Sequence, residues 1–274
     1  MGVKHYDVVV IGGGPGGYTA ALYCARSGRS VAVLEKLSAG GQMATTDRID
    51  NYPGFEEGID GFELGERMER QAWRFGVSTV YGEVRSVELA GRPKRIESTE
   101  GSFEAEAVIL ATGAFPRELG LPDEQALRGR GVAYCTACDG MLYRGKRAAV
   151  IGLAADAPAE ADFLREIGCD VQYYDGKKHR FEIRGAERAD TLVVDGAAQP
   201  ADVIFVLRAG FAADTLLPGI ATEKGHIVVD ESYAASIPGV FAAGDCTGAP
   251  YQIPAAVGEG NRAALSVVRW LRNA

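Results

Sequence analysis

Six residues near the start of the chain, Gly12-Gly13-Gly14-Pro15-Gly16-Gly17, constrain the fold most, because of what flanks them. Before them runs His5-Tyr6-Asp7-Val8-Val9-Val10-Ile11, whose β-branched core suits a strand buried on both faces. After them, Tyr18 to Arg26 is rich in Ala and Leu and stops at Ser27-Gly28, where glycine suits a left-handed cap. Val31-Ala32-Val33-Leu34 is a second buried strand, ended by Glu35. Strand, glycine-rich turn, helix and acid-terminated strand within about 30 residues make a βαβ unit for a dinucleotide. Gly12 serves the tight turn, Gly14 the close approach of backbone to a pyrophosphate, and Gly17 the packing of helix on strand. The phosphates then rest on a helix N-terminus, and Glu35 is spaced to accept hydrogen bonds from an adenosine ribose. The bland alternative, a glycine-rich loop without a ligand, does not account for an acid in register with both strands and the helix.

The plan recurs. Lys146 to Gly152 reads as a strand, a helix follows from near Pro158 to Ile167, and Asp170-Val171-Gln172-Tyr173-Tyr174 reads as the next strand. Between the two units, Glu106 to Gly113 is a strand ending in small residues, and Gly239 to Asp245 is its counterpart near the end of the chain. Ala255 to Arg272 reads as a closing helix. The expected fold is α/β, with two Rossmann-like three-layer domains, the second inserted in the first: residues 1–116 with 240–274, and 117–239.

Composition narrows the function classes. Lys plus Arg number 29 against 37 Asp plus Glu, a net charge of −8 that opposes generic affinity for nucleic acid or anionic membrane. No apolar run reaches the ~18 residues a spanning helix needs, and the first residues lack a secretory signal, so the expected address is the cytoplasm. Of five cysteines, only Cys135 and Cys138 stand close, and the three histidines are scattered. That is neither a secreted disulfide framework nor a zinc or iron–sulfur ligand set, so no metal is expected. In Cys135-Thr136-Ala137-Cys138-Asp139-Gly140 two cysteines separated by two residues can close a small redox-active ring. The competing readings are two structural cysteines or half a zinc site; Asp139 beside them is either a proton donor and acceptor or a turn residue before Gly140. Cys24 reads as a core residue, Cys169 as a helix-to-strand turn residue, and Cys246 as packing.

The order of Gly12 to Gly17, Gly40-Gly41-Gln42-Met43, Asn51-Tyr52-Pro53-Gly54-Phe55, Ala111-Thr112-Gly113, Cys135 to Gly140 and Gly244-Asp245-Cys246 resembles that of the low-molecular-weight thioredoxin reductases across nearly the whole chain. The resemblance implies an FAD held by Gly12, Gly14, Pro15, Gly17, Glu35, Gly41, Gln42, Asn51, Val84, Thr112, Gly244, Asp245, Gln252 and Ile253. It further implies that Cys138 faces the flavin, that Cys135 attacks the thioredoxin disulfide, that Asp139 moves the proton, and that the protein is a homodimer.

One part departs from the resemblance. NADPH-using members carry a Gly-x-Gly-x-x-Ala loop in the second nucleotide fold and later a His-Arg-Arg stretch for the 2′-phosphate. Here the loop is Gly152-Leu153-Ala154-Ala155-Asp156-Ala157-Pro158, and Asp175-Gly176-Lys177 replaces the basic stretch. A methyl at 154 obstructs the pyrophosphate, Pro158 removes a donor, and the Asp175 carboxylate repels phosphate. Lys177-Lys178-His179-Arg180 either compensates or is a solvated turn. The resemblance therefore points to the ferredoxin-dependent flavin thioredoxin reductases, with ferredoxin delivering electrons singly. A local excess of two positive charges over residues 117–147 suits an acidic ferredoxin, although the overall −8 does not. The alternatives are an NAD(P)H-dependent reductase, a flavin-dependent dithiol oxidase using oxygen, and a redox-sensing interaction protein; an aromatic platform for a second flavin at Tyr173 and Tyr174 is a further option.

Overall fold

The computed structural model describes residues 2–114, 119–208 and 217–274, the side chains of Ala137 and Cys138 excepted. The expected domain boundary at 116/117, with Arg117 and Glu118 of the basic segment, lies outside the described residues. Contacts divide the chain into two compact units, 1–114 with 212–274 and 115–211.

The first unit is built on β1 (Lys4–Ile11), which pairs in parallel with β2 (Val31–Glu35) on one side and β6 (Gly101–Leu110) on the other. Alternate residues of β1 serve opposite faces, as the pleat requires. Val8 and Val10 join the core beneath α1 (Pro15–Arg26) and α5 (Ile253–Asn273), while Val9 and Ile11 join the core on the reverse face. That double burial is why β1 and β2 carry unbroken apolar runs. The sheet continues from β2 to β3 (Ser78–Tyr81), and from β6 through β5 (Lys94–Ser98) to β4 (Val84–Glu88). Ten-residue β6 divides its far edge: Gly101 to Ala105 pair antiparallel with β5, and Val108 to Leu110 pair parallel with β16 (Val240–Ala242). The two ends of the chain thereby meet in one sheet. Helices α1 and α5 touch backbone to backbone, since a Cβ at Gly260 would stand 2.2 Å from the Gly16 carbonyl oxygen.

Leu217, Ile220 and Ile227 lie within the segment that sequence reading assigns to the insertion, yet they fill the reverse-face core beside Val240 and Ala242. Their burial on that sheet accounts for the contact boundary at 212. A short hairpin, β14 (Thr222–Glu223) with β15 (His226–Ile227), belongs to the same unit.

The second unit repeats the plan with four parallel strands in the order β7 (Val132–Ala133), β13 (Val203–Leu207), β8 (Arg147–Gly152), β9 (Asp170–Asp175). Helix α4 (Ala157–Glu166) makes the crossover between β8 and β9, with Ala157, Ala161 and Leu164 buried at helical spacing. An antiparallel sheet of β10 (Phe181–Arg184), β11 (Thr191–Val194) and β12 (Ala197–Pro200) completes it. The α/β class read from the sequence is the observed one. No helix among the described residues is long and apolar enough to cross a membrane.

Candidate functional site

In the first unit the residues expected to hold a dinucleotide gather at the carboxyl ends of the parallel strands, where open α/β sheets bind their ligands. Gly12 follows β1 with φ +107°, a conformation open to glycine, and a Cβ there would stand 2.1 Å from the Ala111 carbonyl oxygen. A Cβ at Gly17 would lie 1.9 Å from the Gly12 carbonyl oxygen, so α1 packs on β1 only because that side chain is absent. Gly14, the N-cap of α1, faces open space instead: the nearest atom to its missing Cβ is the Gly40 oxygen at 3.9 Å. Pro15 occupies the first helical turn, where its missing N–H costs nothing. This is a cradle closed on the protein side and open on the ligand side.

Glu35 ends β2 almost fully buried. Its carboxylate accepts the Gly13 amide at 2.6 Å and the Leu37 amide at 2.9 Å, which leaves about two of its roughly four acceptor positions for ribose hydroxyls. Gly41 lies against Gly14, with 3.5 Å between its missing Cβ and the Gly14 Cα, and the Gly40 amide donates to the Gly13 carbonyl at 2.8 Å. The Gln42 side chain donates to the Ala114 carbonyl, beside Thr112 and Gly113 at the end of β6. After β16, Gly244 adopts φ +82° and donates its amide to Glu259 at 2.7 Å. Burial, followed by the Glu259 charge, pushes the Asp245 carboxyl up to about 6. Asn51 and Gln252, 201 residues apart in sequence, are hydrogen-bonded at 3.2 Å. Ile253 opens α5 and packs on Met43, Ile49, Ile59 and Leu64. Val84 stands apart in kind: it begins β4 and packs half-buried on the reverse-face core. The donor set fits FAD, with a glycine cradle for the pyrophosphate, a carboxylate for the ribose and polar side chains for the rest.

Cys135, in the second unit, is in a disulfide; Cys169 of the same unit and Cys24 and Cys246 of the first unit are free. The Cys138 side chain lies outside the described residues. The motif forms α3 (Thr136–Asp139) followed by a 3₁₀ turn over Gly140–Tyr143. Thr136 is buried, and its hydroxyl donates to the Glu160 carboxylate on α4. Burial also pushes the Asp139 carboxyl up to about 6. Gly140 admits α4 beneath the motif, because a Cβ would stand 2.8 Å from Leu164 and 2.9 Å from Ile167. Met141 and Leu142, immediately after the motif, are exposed. Cys24 and Cys246 are buried with thiols pushed up to about 12 and about 11, as packing residues would be. Cys169 donates to the Tyr143 carbonyl at 3.2 Å beneath the 3₁₀ turn.

The second nucleotide fold does not offer the same cradle. The Leu153 and Ala154 amides both donate to the Leu207 carbonyl, at 2.8 and 3.0 Å, so these two donors of the loop are used within the protein. The Tyr173 hydroxyl lies 2.3 Å from where a Gly152 Cβ would be, so its ring covers the turn. The Asp175 carboxylate accepts the Lys177 amide at 3.0 Å and pairs with Lys178 at 3.1 Å, which holds it well below the usual carboxylate range. His179 is bound to Asp195 at 2.7 Å, so the basic run spends two of its members on neighbouring acids. The turn after β8 therefore lacks the open face that Gly14 gives the first cradle.

Sequence reading missed Glu259, although a signal was there. Gln252, Ala256, Glu259, Gly260 and Ala263 fall on one helical stripe, where an acid among small buried residues implies a partner. Tyr173 as the cover of Gly152 gave no comparable signal.

The family model for pyridine nucleotide-disulphide oxidoreductases matches residues 6–179 and 176–260. A thioredoxin reductase from Escherichia coli is 33% identical over 98% of this chain and 97% of its own. Among solved structures, a thioredoxin reductase from Streptococcus pyogenes is 32% identical with a TM-score of 0.88, covering 100% of both chains. A ferredoxin-flavin thioredoxin reductase from Clostridium acetobutylicum is 33% identical with a TM-score of 0.61, again over 100% of both. With a glycine cradle for FAD in one unit and the Cys135 disulfide in the other, the chain belongs to the pyridine nucleotide-disulphide oxidoreductase family and, within it, to the thioredoxin reductases.

Proposed function

We propose that this protein is an FAD-dependent thioredoxin reductase whose electrons come from ferredoxin rather than NADPH. The observation that carries the choice of donor is the closed second fold, with the Leu153 and Ala154 amides on Leu207 and Tyr173 over Gly152. The likeness to a ferredoxin-flavin thioredoxin reductase supports it.

An FAD held by the Gly12–Gly17 cradle and Glu35 would supply the conversion between one-electron and two-electron transfer that such a donor and a disulfide need. The pair Cys135 and Cys138 receives two electrons and two protons and becomes a dithiol. The Cys135 thiolate then attacks the thioredoxin disulfide, displacing one thioredoxin sulfur as a thiolate and forming a mixed disulfide. Cys138 attacks that bond, which releases dithiol thioredoxin and restores the enzyme disulfide. Asp139, with its carboxyl pushed up to about 6, is poised to hand a proton to a leaving thiolate near neutral pH. Basic residues near the motif, among them Arg128, Arg144 and Lys146, suit an acidic ferredoxin. The working form in this reading is a cytoplasmic homodimer.

The test is anaerobic turnover of thioredoxin by the FAD-loaded protein with reduced ferredoxin or with NADPH. Ferredoxin should sustain turnover and NADPH should not. Equal rates with NADPH would overturn the donor, and hydrogen peroxide release from a small dithiol in air, without thioredoxin turnover, would make the protein a dithiol oxidase. Cys138→Ser should abolish turnover while the yellow cofactor remains.

A further inference from the structure

We propose that Glu124, acting through Tyr134, is a positioning residue for the exchanging thiol of Cys135. The inference rests on the thioredoxin reductase reading above. Glu124 is 1% exposed, and its carboxylate is saturated. One oxygen accepts the Leu119 amide and the Tyr134 hydroxyl, each at 3.0 Å. The other accepts the Gly120 amide at 3.0 Å and the Leu121 amide at 3.2 Å. Four donors match the roughly four lone-pair directions a carboxylate presents. A buried carboxylate is costly unless every direction is met, so this arrangement tolerates little displacement of any donor.

Three of those donors are consecutive amides of one loop, and the fourth is the phenol of the residue bonded to Cys135. The loop and the phenol ring also share a core: Leu119, Leu121 and Tyr134 pack on Leu127, Val132 and Ile204. Arg128 lies over the Tyr134 ring at 5.3 Å. On the other side of Tyr134, Val132 and Ala133 pair with Ile204 and Phe205 of β13. Tyr134 therefore follows directly on a paired strand and is held at its hydroxyl by Glu124. Because consecutive Cα atoms are about 3.8 Å apart, fixing Tyr134 fixes where Cys135 begins. In-line attack on a disulfide is sensitive to placement at the ångström scale.

The experiment compares wild type with Tyr134→Phe, which removes one hydroxyl and keeps the ring, and with Glu124→Gln, which puts an NH₂ group against the loop amides. All are FAD-loaded and assayed per bound flavin, with thioredoxin varied. Tyr134→Phe should lower kcat about three- to tenfold while KM for thioredoxin stays within about twofold, and Glu124→Gln should lower kcat further. A merely structural role would lower the melting midpoint and leave kcat per flavin intact, and that result overturns the proposal. So does a rise in KM at constant kcat, which would place Tyr134 in thioredoxin binding. If Glu124→Gln does not fold, Tyr134→Phe decides alone. A wild-type protein that fails to turn over thioredoxin sinks the functional reading itself, a failure distinct from that of the variants.

Discussion

Asp139 and Asp245 are both pushed up to about 6, in different surroundings. Burial alone acts on Asp139, whereas Glu259 adds its charge to the burial of Asp245. For Asp139 the consequence for stability has a definite sign. The folded protein holds the proton up to about pH 6, while the unfolded chain releases it near the ordinary value of 3.8. Ionising the buried group therefore costs nothing below pH 4, an increasing amount between pH 4 and 6, and a constant amount above. Asp139→Asn should raise stability by up to about 3 kcal/mol at pH 8 and leave it unchanged near pH 4. Urea unfolding at the two pH values measures this, and an equal gain at both would mean that the native carboxyl titrates normally. The same substitution should slow thioredoxin reduction, because the amide cannot deliver a proton. A buried acid that destabilises the fold at working pH is a candidate for the chemistry, and the slowed turnover would mark it as one.

At the scale of elements, the two βαβ units share a plan and differ in where their loop amides go. In the first, a Cβ added at Gly14 would face open space; in the second, the Leu153 and Ala154 amides turn inward to β13. Ala154→Gly removes the methyl that the sequence sets against a pyrophosphate, yet it moves neither those amides nor the Tyr173 ring. Flavin reduction by NADPH in the variant should stay within about twofold of wild type in stopped-flow bleaching, since no new phosphate donors are created. A tenfold gain would show that the methyl alone blocks the site. The contrast marks what the sequence made legible. Strands, helices and the first cradle follow from periodicity and glycine spacing, because local sterics decide them: Gly12 and Gly17 meet backbone that a side chain would strike. The closing of the second cradle depends on Tyr173 folding over Gly152 and on Leu207 reaching the loop, tertiary contacts with no period and no spacing to betray them. Glu124 is hidden for a different reason, since three of its partners precede it by only a few residues and look like an ordinary turn.

For the whole molecule, the separation of cores has a thermodynamic consequence. The first unit buries its apolar residues on the two faces of one large sheet, and the second buries a different set around β8 and β13. The expected FAD contacts, from Gly12 to Ile253, all fall in the first unit. A ligand that binds one folded unit stabilises that unit by mass action, by about 2.7 kcal/mol at a free concentration one hundred times Kd. Calorimetry should therefore resolve two transitions, of which excess FAD raises only one, by several degrees. Limited proteolysis between the transitions identifies the melted unit: fragments of 115–211 should be lost first when FAD is in excess. A single transition that moves as a whole with FAD would mean that the two cores unfold as one cooperative block, and that flavin binding energy is shared with the unit that carries Cys135.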